Sequence, residues 1–219
     1  MKCADQGING NEARVYARVI GLQQIDDSDL SGVSDEFAAY LKCYNAFLDA
    51  QVTGAPASFE YFEEQSEKAL KEIPEDSDPL NLYLRAEINI QRSFVKLKQG
   101  SELSAVWLMR QAYRDVSDYA GQYPDNINFK KTWGLLQILV GAIPDNYQWI
   151  PKIFGVEGSI DMGRSLLLSI PEEHWLYSES QAIAALADSY LLEESSRAVR
   201  SFRKLISKNG ENRIFSYLY

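Results

Sequence analysis

Histidine occurs once in this 219-residue chain, at position 174, and cysteine twice, at positions 3 and 43. One histidine without a second histidine or a cysteine beside it makes a poor zinc site. A general base is assigned only with a partner in hydrogen-bond reach. His174, flanked by Glu172, Glu173 and Trp175, therefore reads as a histidine at a helix start or on the surface. Cys3 and Cys43 form no C-x-x-C pair and no disulfide framework, so both read as free thiols. The phosphate loop GxxxxGK(S/T), the dinucleotide fingerprint GxGxxG and the nucleophile elbow GxSxG are all missing. So is the D-x-D/N-x-D/N-G loop that calcium needs. No stretch alternates as a strand would. The longest apolar run, 133 to 143, falls far short of the ~20 residues that span a bilayer.

Positive charge is also in short supply. The chain carries 22 Lys and Arg against 31 Asp and Glu, a net charge of −9. Nucleic-acid binders need a basic stripe to displace counterions from phosphates, so this balance speaks against nucleic acid as a partner. The carboxylates gather at 26–36 and 60–78, where their spacing is that of solvated helix faces and loops. A catalytic carboxylate needs an apolar pocket to raise its pKa, and no run here marks one. No enzyme chemistry, metal or cofactor is expected.

What the chain does have is repeated helix punctuation. Helical runs end in proline at Ile73-Pro74, Tyr123-Pro124 and Ile170-Pro171, and a fourth stops at Asn209-Gly210. The spacing, roughly 40–50 residues, is that of one repeated supersecondary unit. Helices are expected over about 11–25, 34–52, 57–73, 79–99, 101–123, 128–142, 159–168, 171–192 and 196–208, with a short one near 149–154. The second of these carries Phe37, Tyr40, Leu41, Tyr44, Phe47 and Leu48 at amphipathic spacing. Ser34 is placed to cap it. Pro79 after Asp78 opens another, and Gly100 ends it. Residues 1–10 read as a loose start.

The fold class expected is all-α: an α-solenoid of antiparallel helix pairs, about nine or ten helices, forming one repeat domain over 1–219. The last helix holds Ala198-Val199-Arg200-Ser201-Phe202, the preceding one Ala187-Asp188-Ser189-Tyr190, and an earlier one Ala112-Tyr113-Arg114-Asp115-Val116. In these elements the chain resembles the tetratricopeptide-repeat superfamily over about residues 34–208, with longer units than that family's repeat of about 34 residues. Trp133-Gly134-Leu135-Leu136, Ile143-Pro144, Gly155-Val156-Glu157-Gly158 and Gly163 resemble a segment of the tetratricopeptide proteins related to inclusion-body clearance. Both likenesses imply a scaffold that binds protein or peptide and performs no chemistry.

On that reading the first helices of the pairs line a concave face, and Tyr40, Tyr44, Tyr83, Arg85, Asn89 and Tyr190 are its expected surface. The basic stripe Arg200, Arg203 and Lys204 is a solvated face or a seat for an acidic peptide, including the acidic face of another copy. Tyr147, Trp149, Ile150 and Phe154, in a region broken by proline and glycine, form either a plug on the stack or an apolar contact patch. Met1 to Gln6 lacks the apolar core of a signal peptide. A native Met1 implies the cytoplasm; a signal removed upstream implies the periplasm or cell envelope. The aromatic run 212–219 follows a helix stop and reads as the opening of a further repeat, as in a piece of a longer protein. A structural helical half of a larger envelope or assembly protein is the alternative function.

Overall fold

The computed structural model describes residues 7–144, 155–208, 210 and 212–219. Those residues hold ten helices and no strand. They are α1 (Gly10–Val19), α2 (Asp35–Thr53), α3 (Pro56–Glu72), α4 (Pro79–Lys98), α5 (Glu102–Gln122), α6 (Ile127–Gly141), α7 (Ile160–Leu168), α8 (Tyr177–Tyr190), α9 (Ser195–Lys208) and α10 (Arg213–Leu218). The all-α class is as expected from the periodicity. The chain divides into two compact units, residues 1–115 and 116–219.

In the first unit α1 packs on α2, α2 on α3 and α4, and α3 on α4. An aromatic train fills the space between them. Ring centroids lie 5.9 Å apart for Tyr16 and Tyr44, 5.7 Å for Tyr40 and Tyr44, and 5.7 Å for Phe47 and Phe62. Phe47 also meets Phe94 at 6.4 Å, so one row of rings links α1, α2, α3 and α4. Tilted pairs at this distance are each worth about 0.5–1.5 kcal/mol beyond the area they bury. Between α2 and α3 stand only Gly54 and Ala55. Gly54 adopts φ +63°, the left-handed cap that lets a helix stop and reverse within two residues.

Two local expectations are corrected here. Ser34 is the N-cap of α2, but its side chain makes no capping bond. Its Oγ and its amide donate instead to Oε1 of Glu12, at 2.8 and 3.0 Å. The buried Glu12 carboxylate also accepts from the Asn9 amide at 2.7 Å, completing a capping box on α1. One carboxylate thus fixes the starts of two helices, which Ser34 alone would not do. The first helix ends at Val19 instead of running to 25, because Leu22 turns the backbone at φ +59°. Arg18 holds that turn, bonding Gln23 Oε1 at 3.1 Å and pairing with Asp29.

In the second unit α6 packs on α7 and α8, α7 on α8, α8 on α9, and α9 on α10. The α6–α7 contact is backbone against backbone. A Cβ on Gly163 would lie 2.3 Å from the Gly134 carbonyl oxygen, and one on Gly158 would lie 2.4 Å from the Gly141 amide nitrogen. Four glycines therefore stand where any side chain would force two main chains apart. Leu167, Ile138, Ala184 and Ala187 form the adjoining core. α8 starts at Tyr177 and not near 171, because the His174 amide donates to the Pro171 carbonyl and shapes residues 171–176 as turns.

Gly163→Ala should lower stability by about 2–4 kcal/mol, since its Cβ meets a main-chain oxygen that cannot rotate away. Gly121→Ala, a helical position with nothing within 4 Å of its Cβ, should raise stability by about 0.5–1 kcal/mol. Urea unfolding of the two variants beside the wild type checks both signs.

Candidate functional site

The surface expected from tyrosines of α2 and α4 is not a surface. Tyr40 and Tyr83 are fully buried and Tyr44 nearly so. Their rings belong to the core between α1, α2 and α4, where a large aromatic gains more by burial than by exposure. Arg85 is half-buried and structural: Nη1 donates to the Leu70 and Ile73 carbonyls at 2.7 and 2.8 Å, and Nη2 pairs with Glu75. It caps the C-terminus of α3, where a cation suits the helix dipole. Asn89 is half-buried, and Tyr190, at the end of α8, is exposed. Tyr147, Trp149, Ile150, Phe154 and the expected short helix at 149–154 lie outside the described residues, as does Cys3.

The basic stripe of α9 is exposed but partly engaged. Lys204 Nζ donates to the Tyr177 hydroxyl at 3.1 Å and lies 3.5 Å from Glu172. Lys208 pairs with the same carboxylate. Arg203 Nε donates to the Tyr219 hydroxyl at 2.8 Å, with its guanidinium 5.6 Å from that ring's centroid. That contact is to a hydroxyl and a ring face, not to a carboxylate. Arg200 is exposed and, among the described residues, makes no hydrogen bond or ion pair.

A surface that the sequence reading missed lies on α5. Leu103 is 81% exposed and Trp107, one turn later, 60%. Arg110 sits over the Trp107 indole at 5.6 Å. With Arg114 and Asp115 these two border a hollow of about 280 Å³. At 3.6 residues per turn, 103, 107, 110 and 114 fall on one stripe, opposite the buried Ala105, Ala112 and Val116. The phase is readable in the sequence from the small and apolar set Ala105, Ala112 and Val116. A second hollow of about 290 Å³, in the other unit, is bordered by Tyr123, Lys130 and Trp133.

The buried charges are paired. Lys131, 1% exposed, stands 3.1 Å from Glu179 Oε2. Asp188, equally hidden, receives Nε and Nη2 of Arg164 at 2.5 and 3.1 Å and lies 3.4 Å from Arg197. This geometry joins α7, α8 and α9 through three charge-assisted hydrogen bonds to one carboxylate. Cys43 is wholly buried, with Sγ 3.7 Å from Gln91 Oε1, and burial pushes its thiol up to about 12. A thiol so high stays protonated and unreactive. No group of three or more His, Cys, Asp or Glu converges on a metal-sized space among the described residues. None of the helices there is long and apolar enough to cross a membrane.

His174 is buried, which corrects its reading as a surface residue. Its ring stacks on Trp175 at 5.9 Å, and Nδ1 accepts the Leu176 amide at 3.2 Å. Desolvation lowers its pKa to about 4 from 6.5. The folded state thus binds that proton less readily than the unfolded chain.

These features define an all-α protein of neighbouring packed helices, with an exposed aromatic and cationic stripe on α5 and further exposed cations on α9. No family model matches the chain, and no curated protein or solved structure matches it.

The His174 contribution should be complete above pH 6.5 and fade as pH falls toward about 4. Its full size is about 2–3 kcal/mol. Glu63, held below its ordinary 4.5 chiefly by the Lys96 hydrogen bond, loses its contribution only at lower pH. As pH is lowered from 7 to 4, melting temperatures should therefore fall for the wild type and stay flatter for His174→Asn, which keeps an acceptor for Leu176 but cannot titrate.

Proposed function

We propose that this chain is a non-enzymatic protein-interaction module, a tetratricopeptide-like scaffold that takes a protein or peptide partner on the outer stripe of α5. The observation that carries the reading is Trp107: a 60% exposed tryptophan one turn from an 81% exposed leucine. Indole beside guanidinium is the composition that dominates binding energy at protein interfaces. The hollow of about 280 Å³ next to it suits one or two side chains of a partner. Arg110 and Arg114 supply fork-shaped donors that favour a carboxylate on that partner. The scaffold half of the reading draws support from Ala112, Ala187, Ala198 and Phe202, which carry the tetratricopeptide resemblance and are all buried. Tyr190 departs from that pattern by facing solvent.

Peptides selected from a displayed random library on the immobilised chain test the proposal. Those selected should be enriched in Asp or Glu beside an apolar residue. By calorimetry, Trp107→Ala should weaken their binding at least about tenfold, the loss of a central aromatic anchor. Selection of no peptide, or peptides that bind Trp107→Ala as well as the wild type, would overturn the α5 assignment.

A further inference from the structure

Two helices, one in each unit, carry like-signed exposed charges that have no partner among the described residues, with the cation Lys71 following the acids of the first. On α3, Glu60, Glu64 and Glu67 are exposed and make no hydrogen bond or ion pair among the described residues. They stand at i, i+4 and i+7, a single stripe about 10 Å long. The other acids near them are matched: Glu63 pairs with Lys96 at 2.5 Å and Glu72 with Lys68 at 3.9 Å. Tyr61, 54% exposed, lies beside the stripe. On α9 the position is reversed. From Ser195 to Lys208 the helix carries five cations and no carboxylate. Arg197 is taken by Asp188, and Lys204 and Lys208 by Glu172. Among the described residues Arg200 makes no hydrogen bond or ion pair, and Arg203 meets no carboxylate, only the hydroxyl and ring of Tyr219, which is itself 52% exposed.

We infer that the chain associates with itself head to tail, the α9 stripe of one copy seating on the α3 stripe of the next. Arg200 and Arg203 face Glu60, Glu64 and Glu67, with Tyr219 and Tyr61 supplying apolar area beside the ion pairs. The occupant is a second copy because the same chain holds both halves of the complement, each unspent. The two faces differ, so the contact is heterologous: each copy keeps one free end, and growth does not stop at a dimer unless the rotation closes a ring. Exposed pairs contribute only about 0.2–1 kcal/mol each, so the contact is weak and salt-sensitive. The net charge of −9 on each copy opposes it at long range. The α5 stripe takes no part, so this inference stands or falls separately from the peptide-binding one.

Sedimentation equilibrium from about 10 µM to about 3 mM chain reaches toward the millimolar affinity such pairs provide. At about 50 mM salt the weight-average mass should rise with concentration across that range, and at about 500 mM the rise should vanish. E60K/E64K/E67K and R200E/R203E should each stay monomeric with unchanged circular dichroism. Their equimolar mixture should recover association, since each then offers the face the other lacks. Trp107→Ala should associate as the wild type does. A wild-type chain that stays monomeric throughout overturns the inference, even if its α9 face captures an unrelated acidic helix. So does association that survives either charge reversal, or a mixture of folded variants that fails to recover it.

Discussion

A helix of nine to twenty-one residues with one apolar stripe is marginal in water, and each helix from α1 to α9 falls within or close to that range. Everything else follows from how the stripes are covered. The first unit covers them with bulk: an aromatic row shared by α1 to α4 fills wide gaps. In the second, α6 and α7 use the opposite device and remove side chains, so that Gly134 and Gly163 bring two backbones together. Both devices achieve close packing, and they differ in what they tolerate. A ring can tilt to admit a small change, whereas two main chains in contact cannot.

Several polar groups inside the protein fasten one helix to another. Glu12 ties α1 to α2, Arg85 closes α3 against α4, and Asp188 gathers α7, α8 and α9. Each side chain makes three hydrogen bonds to neighbours from its own unit. Trp107 and the unmatched charges of α3 and α9 stand outside that framework, on the surface.

The helices were legible where one period and one cap agreed. Asp78 opens α4 ahead of Pro79 as expected, its side chain accepting the Leu80 and Asn81 amides. Ser159 and Asn126 cap α7 and α6 in the same way. Legibility failed where an apolar residue does not continue a helix: Ile20, Leu22 and Ile25 prolong the stripe of α1, but the backbone has already turned. The candidate surface was less legible still. A tyrosine reads as amphipathic, and nothing local shows that Tyr40 and Tyr83 lose all exposure to neighbours brought in by the fold. Lys131 carries the same lesson, because its burial depends on Glu179, distant in sequence. Trp107 was different: its phase against Ala105 and Ala112 was in plain view.

The sealed thiol of Cys43 makes the first unit a reporter of its own breathing. An alkylating reagent reaches Sγ only when α2 and α4 part, because the residue is wholly enclosed and its proton is held tightly. In a chain whose Cys3 is replaced by serine, the labelling rate divided by that of an open thiol measures the equilibrium for this local separation. Comparing it with whole-chain melting would tell whether the aromatic row opens alone or only when the entire molecule comes apart.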